Sequence, residues 1–305
     1  MIKYGFDVAY WFNEHNLDIH QALDDISITG WDGVELVRNE LEFFYNDIDY
    51  FNKLLKLHNL EVTSFYCEFS LIYENKKISE IESMKRKCDF LKNIGCDILL
   101  IDGGIKNPEK NTKDIYKIAI ENINDIGYIA KELGLKTSWH QHWGSMFDTN
   151  DSFEFLMENT DPKVIGFCPD TAQLFLSSMD PLTVIKKYGK RINYIHFKDI
   201  IPNNFVINRL DIIKGLKKTA RDSDKGFENY EYFKNRFLDS GAYHINSEFK
   251  FTEVGRGIID FENICKTVKD IGYDGWIVVD QDYTEWSKRE SLDVNLKNIK
   301  YFMGL

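Results

Sequence analysis

The 305-residue sequence lacks several features that would assign it to a common class of protein. Lys and Arg number 38 against 49 Asp and Glu, so the net charge is −11. Such an acidic chain is poorly suited to bind a nucleic-acid backbone or an anionic membrane surface. It also has no uninterrupted apolar run of about 18 residues, the length that a membrane helix needs. We therefore expect neither nucleic acid nor membrane as a partner.

Cysteine and proline are sparse as well. The five cysteines are odd in number and have no CxxC spacing, which argues against a disulfide framework and predicts reduced thiols. The first residues run directly into a strand-like segment without a charged leader, so we expect a cytoplasmic protein. With five prolines and no Pro/Gly/Ser-rich linker, a single domain over residues 1–305 is expected. GxSxG, HExxH, Walker and dinucleotide motifs are missing, which disfavours hydrolase, protease and NAD-enzyme functions.

Short apolar runs alternate with longer amphipathic segments along the chain, which is typical of repeated βα units around a parallel sheet. Eight runs are strand candidates, and they begin near Lys3, Gly33, Leu60, Asp97, Leu135, Val164, Ile192 and Gly275. Eight strands predict an α/β fold closed into a (β/α)8 TIM barrel. The pattern breaks at about 200–250, which we interpret as an insertion after strand seven. It lies either over the C-terminal rim or elsewhere on the surface.

Four apolar runs in the second half of the chain end in a side chain that can bind a divalent metal. These side chains are His140, Asp170, His196 and Asp280. The C-terminal ends of parallel barrel strands share one rim, so residues far apart in sequence converge there. Imidazole and carboxylate together suit Mn, Mg, Co, Fe or Zn without selecting one of them. The sequence therefore predicts a metal site of unassigned identity at this rim.

Structural roles are the alternative for each of these positions. A histidine on a strand such as His140 is often a satisfied core residue, and Asp170 can cap the following helix because Asp is a favoured N-cap. Asp280 and Asp282 share one face of the last strand, so either acid can point toward the metal.

Two further residues are candidates for acid/base catalysis. Glu35 lies inside an apolar strand, where an inward carboxylate is costly unless it is paired or functional. His142 would point away from His140 if their strand continued. If the strand ends at His140, the second imidazole can reach the pocket from the loop, and Gly144 would help that turn.

Three residues are candidate substrate contacts. Gln173 follows Asp170 by three residues, and Lys198 follows His196 by two. Arg256 lies between two glycines, and this Gly-Arg-Gly segment is too short to be a phosphate loop by itself. It would still bring a guanidinium close to an anionic or polyol substrate.

Taken together, these motifs resemble the xylose isomerase-like TIM-barrel superfamily. Within it they resemble the sugar phosphate isomerase/epimerase group, and they are most similar to inosose dehydratases. The likeness covers nearly the whole chain apart from the insertion. It rests on residues 30–36, 140–142, 169–173, 196–199, 257–261, 272–276 and 280–282. It implies that His140, Asp170, His196 and Asp280 bind a divalent metal. Ketose epimerases of this family usually have glutamate at the first and last of these positions, and Gln173 replaces a histidine that often contacts substrate.

The resemblance implies an isomerase or epimerase of a small sugar, keto-sugar or cyclitol, acting by proton transfer next to a carbonyl through a metal-stabilised enediolate. Loss of a β-hydroxyl would instead make it an inosose dehydratase-like lyase. A non-catalytic sugar-binding barrel is a further alternative, and self-association into a homo-oligomer is left open. The endonuclease branch is disfavoured by the net charge and by a total of seven histidines.

Overall fold

The computed structural model describes residues 1–11, 18–37, 44–72, 74–104, 112–202 and 249–305. Ten strands lie in these ranges: β1 Lys3–Asp7, β2 Gly33–Leu36, β3 Glu61–Phe69, β4 Ile98–Gly103, β5 Lys136–His140, β6 Ile165–Cys168, β7 Ile195–Phe197, β8 Asp199–Pro202, β9 Phe249–Thr252 and β10 Trp276–Val279. Nine helices accompany them: α1 Ile19–Ile28, α2 Ile48–His58, α3 Glu74–Asn93, α4 Lys113–Glu132, α5 Asn150–Asn159, α6 Thr171–Leu176, α7 Pro181–Tyr188, α8 Phe261–Asp270 and α9 Lys288–Met303.

Eight of the strands form one parallel sheet that curls into a barrel. Their order is β6-β5-β4-β3-β2-β1-β10-β7. Parallel ladders join each neighbouring pair in this order, and one of them, between β2 and β3, contains a shift in register. Between β6 and β7, two isolated parallel bridges, Phe167 to Ile192 and Asp170 to His196, bring the ends of the sheet together. The prediction of a TIM barrel is thus confirmed.

Seven of the eight barrel strands begin within one residue of the predicted position, and the seventh strand does not. It begins at Ile195 instead of near Ile192, because Ile192 makes a single bridge to Phe167. A continuous ladder forms only from Ile195 onward, where β7 pairs with Ile277 of β10. An apolar run in the sequence indicates burial, but residues form a β-strand only where a neighbouring strand pairs with them. The apolar run therefore placed the start of β7 too early.

Two apolar cores lie on the two sides of the barrel wall. The inner core contains Ile98 and Leu100 of β4 together with Cys168, Tyr194 and Val278. Leu99 and Ile101 of the same strand belong to the larger core between the strands and the helices. This alternation follows from the period of two along a strand, and it makes the barrel interior a packed core rather than a pore.

A β-bulge in β3 changes this alternation at one point. Val34 of β2 pairs with Val62, but the next residue, Glu35, pairs with Ser64, so Thr63 is the extra residue. The Thr63 hydroxyl lies 2.6 Å from the hydroxyl of Tyr194 in the inner core, and the Ser64 hydroxyl donates to Glu35. The bulge therefore lets two successive side chains enter the barrel.

The interruption predicted after strand seven begins at an antiparallel pair of strands. β8 starts two residues after β7 ends and pairs with β9, so Asp199 lies opposite Thr252. Residues 203–248, and with them the predicted position of the insertion over the rim, lie outside the described residues. The single-domain organisation over residues 1–305 stays a prediction. Among the described helices there is no candidate for a membrane-spanning segment.

The buried carboxylate of Asp199 anchors the chain where it returns from this pair. One oxygen accepts the backbone N–H groups of Ile200 and Ile259, and the other accepts those of Gly255 and Gly257. A Cβ at position 257 would lie 2.3 Å from the carboxylate, so only glycine fits there. Four donors on one carboxylate fix residues 255–259 against β8.

We expect Asp199→Ala to lower the free energy of unfolding by about 3–5 kcal/mol, because each buried N–H left unpaired costs about 1–3 kcal/mol. Urea denaturation measures this loss. The control is Asp180→Ala, which removes the exposed N-cap of α7 and should cost only about 1 kcal/mol. Equal losses in the two variants would show that the four contacts do not anchor this segment.

Candidate metal centre

Four strand ends bring the predicted ligands together at the C-terminal rim. His140 ends β5, Asp170 follows β6, His196 lies in β7 and Asp280 directly follows β10. One ligand atom from each lies within 4.8 Å of the others, and all four residues are buried. Asp170 Oδ2 is 3.5 Å from His140 Nε2 and 3.8 Å from His196 Nδ1, and Asp280 Oδ2 is 3.7 Å from the same Nδ1. We call these four residues the rim cluster.

The rim cluster contains an unusual number of unsatisfied polar atoms. Both ring nitrogens of His140, Oδ2 of Asp170 and Nδ1 of His196 are buried and have no hydrogen-bond partner within the described part of the chain. Buried polar atoms in native proteins are nearly always paired. Two imidazoles and two carboxylates form a donor set that zinc and other divalent transition metals accept. The residues present therefore fit a divalent cation.

The geometry of Asp170 shows the capping role expected from its sequence position and leaves room for the predicted role as a metal ligand. Its Oδ1 accepts the backbone N–H of Gln173 at 2.8 Å and thereby caps α6. Its Oδ2 makes no hydrogen bond and points into the rim cluster. The helix cap orients the carboxylate, so that one oxygen caps α6 and the other stays available to a cation.

The carboxylate of Glu35 binds the ring nitrogen of His196 that faces away from the rim cluster. His196 Nε2 lies 2.9 Å from Oε2 of Glu35, and the Ser64 hydroxyl donates to the same oxygen at 2.8 Å. Burial lowers the pKa of His196, but Glu35, Asp280 and Asp170 outweigh it and raise the pKa to about 9. At neutral pH a cation would displace a proton from this imidazole, so metal binding is expected to release protons.

A buried lysine joins the two acids that follow β10. Lys198 Nζ lies 2.8 Å from Asp280 Oδ2, pairs with Asp282 as well, and lies 4.3 Å from the ring centre of Phe251. Burial raises the pKa of Asp280, but Lys198 and His196 hold it well below its usual value. Of the two acids that share this face, Asp280 lies in the rim cluster, and Asp282 reaches Lys198.

His142 reaches the rim from the loop after β5. The strand ends at His140, and Gly144 adopts a positive φ of 82° in the turn that follows. The two imidazole centres are 5.7 Å apart. His142 Nδ1 lies 2.7 Å from the carbonyl of Trp143, and the side chain is half-buried. Of the two arrangements that the sequence allowed, the structure has the one in which the second histidine lies beside the first.

The two remaining predicted substrate contacts differ in burial and in their partners. Gln173 is buried, and its Oε1 accepts the backbone N–H of Trp143, which ties α6 to the loop carrying His142. Arg256 is exposed, and its guanidinium lies 4.3 Å over the ring of Trp286. The flanking glycine N–H groups already bind Asp199, so the Gly-Arg-Gly segment does not offer them to a phosphate.

Three polar residues near the cluster were missed or undervalued by sequence reasoning. Asp7 ends β1, pairs in register with Glu35 and lies one residue beyond the Phe6–Val279 pair, hence beside Asp280. Burial, Asp280 and Glu35 raise its pKa well above the usual value. The strand-end rule, applied to the first strand, would have found it.

On another side of the cluster, Tyr66 donates a hydrogen bond to Asp102 at 2.7 Å, and its ring meets His140 edge-on at 5.6 Å. Asp102 ends a run of apolar residues in β4, so its position could be read from the sequence. The contribution of Tyr66 could not, because a tyrosine in a strand is more often a core residue.

Comparison with known proteins gives the same fold and a consistent family. The model of the xylose isomerase-like TIM barrel family matches residues 23–300. An inosose dehydratase from Clostridium beijerinckii is 26% identical over 299 residues, covering 92% of this chain and 90% of that protein. The prediction that this chain is an enzyme related to the sugar isomerases and epimerases, with a lyase as one form, is thereby confirmed.

Two solved structures share the architecture at low sequence identity. A probable 3-DHS dehydratase, AsbF, from Bacillus anthracis has a TM-score of 0.74 at 15% identity, covering 97% of each chain. The IOLI protein, solved with a bound zinc atom, has a TM-score of 0.71 at 16% identity, covering 99% of this chain and 98% of that one. With its eight-stranded barrel and a family match over residues 23–300, the chain belongs to the xylose isomerase-like TIM barrel family.

Proposed function

We propose that this protein is a divalent-metal-dependent enzyme that removes a proton next to the carbonyl of a small sugar, keto-sugar or cyclitol, and that its reaction is the loss of water. The observation that carries this proposal is the rim cluster, in which buried ligand atoms of two histidines and an aspartate have no partner within the described residues. A cation bound there would act as a Lewis acid toward the substrate carbonyl.

The residues at the first and last positions of the rim cluster favour elimination over epimerisation. Ketose epimerases of this family usually have glutamates at these positions. Here they are His140 and Asp280, and Asp280 is already paired with Lys198. The relative from Clostridium beijerinckii, an inosose dehydratase, supports the same choice.

The chain's own groups divide the remaining work. His142 lies beside the rim cluster on a loop, so it removes the proton next to the carbonyl as a general base, and the imidazolium that forms returns this proton to the departing β-hydroxyl, which leaves as water. Lys198 is a fixed cation between Asp280 and Asp282 and donates to a substrate oxygen. Gln173 holds the His142 loop in place through Trp143. Arg256 is exposed and lies over Trp286, and its contact with substrate stays a prediction.

An isomerase or epimerase of the same substrates is the second candidate. It is supported by the presence of proton-transfer groups on two sides of the rim cluster. His142 follows β5, whereas the Lys198–Asp282 pair follows β7 and β10. Such a pair of groups would allow removal of a proton on one face and its return on the other.

Solvent-deuterium tracing separates the two reactions. We expect NMR of the metal-loaded protein in deuterated water, across a panel of inososes and ketoses, to show a dehydrated product. Recovery of deuterated substrate or its epimer without loss of water would instead favour the epimerase. The control is the same protein stripped of metal with a chelator, which should give neither dehydrated product nor deuterated substrate. A purified protein without divalent metal and without exchange on any substrate would overturn the proposal.

A further inference from the structure

A chain of buried hydrogen bonds lies directly behind one member of the rim cluster. The Ser64 hydroxyl donates to Glu35 Oε2 at 2.8 Å, and the same oxygen lies 2.9 Å from His196 Nε2. Glu35 is fully buried, with no exposed surface. It contacts Nε2, whereas Nδ1 lies near the carboxylates of Asp170 and Asp280, so Glu35 is on the side of the imidazole away from these candidate ligands.

The hydrogen-bonding roles along this chain follow from chemistry. An ionised carboxylate only accepts hydrogen bonds, so Nε2 of His196 must carry the hydrogen that bridges to Glu35. The remaining nitrogen, Nδ1, is buried and has no hydrogen-bond partner within the described residues. It lies 3.8 Å from Asp170 Oδ2 and 3.7 Å from Asp280 Oδ2. Glu35 thus leaves Nδ1 as the nitrogen available to a cation.

The bulge in β3 makes this arrangement possible. Along a regular strand, successive side chains point to opposite faces, so Thr63 and Ser64 could not both enter the barrel. With the extra residue, Ser64 reaches Glu35, and Thr63 bonds the hydroxyl of Tyr194. The Tyr194 ring lies 5.6 Å from the imidazole of His196. Two residues from one bulge therefore support His196 through two different neighbours.

We infer that Glu35 is a positioning residue, which fixes the orientation and the hydrogen of His196 so that Nδ1 faces a divalent cation, and that Ser64 in the β3 bulge holds Glu35 in place. This inference rests on the proposed function only in assuming that the rim cluster binds a cation. It replaces the role of acid or base expected for Glu35 from the sequence, because a group that exchanges protons with substrate has to touch it. A histidine ligand whose second nitrogen binds a carboxylate is a common arrangement in metalloproteins.

The test measures metal affinity directly and does not depend on turnover. We expect Glu35→Gln to weaken Zn²⁺ binding by about 10- to 100-fold, the usual effect of losing such a partner. Competition with a chromophoric chelator measures this affinity on the full chain. In ¹⁵N-histidine NMR of the Zn²⁺-loaded wild type, His196 should carry its hydrogen on Nε2. Ser64→Ala should weaken binding in the same direction but by less.

Glu253→Gln is the matched control, since Glu253 is a buried glutamate that accepts hydrogen bonds from the hydroxyls of Ser291 and Thr284 instead of binding a histidine. It should leave Zn²⁺ affinity within about twofold of wild type. If Glu35→Gln does not fold, Ser64→Ala decides the question, because it removes only a hydroxyl. Wild-type affinity in the folded Glu35 variant, or in Ser64→Ala alone, would overturn the inference. A wild type that binds neither Zn²⁺ nor Mn²⁺ would instead contradict the proposed function.

Discussion

Asp170→Asn is expected to weaken divalent-metal binding by more than about 100-fold and to abolish turnover. Even partners of metal ligands are worth about 10- to 100-fold in affinity, so loss of a charged ligand should exceed this. The substitution is conservative for the fold, because asparagine caps a helix about as well as aspartate. The oxygen that accepts the N–H of Gln173 is retained, and the negative charge on Oδ2 is lost.

Elemental analysis after equilibration with Zn²⁺ or Mn²⁺ measures the effect, and circular dichroism checks that the fold is retained. The matched control is Asp180→Asn, because Asp180 caps α7 in the same way and is exposed. That variant should retain its metal and its activity. Wild-type metal content in the Asp170 variant would remove this residue from the metal site.

Lys198→Met is expected to lower the free energy of unfolding of the metal-free protein by about 3–5 kcal/mol at pH 7, because it leaves two buried carboxylates without their counter-charge. The side chain of Lys198 is 2% exposed, and those of Asp280 and Asp282 are 11% and 14% exposed. A divalent cation should restore part of the loss, since it neutralises one of these acids, Asp280, and binds only the folded state.

The pH dependence of this difference has a defined sign. The folded-state pKa of Asp280 is depressed, so its pairing with Lys198 contributes stability above the ordinary carboxyl pKa of about 4. This contribution disappears as the pH falls through the depressed value. The gap in unfolding free energy between wild type and variant should therefore be largest near neutrality and shrink in acid.

Denaturant unfolding in the presence of a chelator, repeated from pH 7 to pH 3, tests both statements. Lys187→Met is the control, because Lys187 forms an exposed ion pair with Glu154. Exposed pairs contribute at most about 1 kcal/mol, so this variant should resemble wild type. A similar loss in the two variants would mean that the Lys198 pairs are as well solvated as the surface pair.

The barrel could be predicted from the sequence because its βα units repeat a strong signal. Each strand is an apolar run of limited length, and the helices between them are amphipathic. What the sequence could not locate was the start of β7, since Ile192 is apolar and buried like a strand residue but has only one bridge to β6. The type of a residue indicates whether it is buried, whereas strand pairing depends on a second strand that is far away in the sequence.

The rim cluster was also predictable, because the ends of parallel strands meet and the four ligands are chemically distinctive. The support behind His196 was not. Glu35 could be identified as an unusual buried charge, but its contact with Ser64 depends on a bulge in the register between β2 and β3. A bulge is a property of two paired strands, and neither strand shows it alone.

The sparse pairing between β6 and β7 gives the rim cluster a second, structural role. Asp170 and His196 lie on the two sides of this pairing, and the backbone N–H of His196 donates to the carbonyl of Pro169 at 3.0 Å. A cation held by both side chains would link β6 to β7, where the described residues of the barrel are joined only by isolated bridges. Local unfolding at this point and release of the ion would then be a single event.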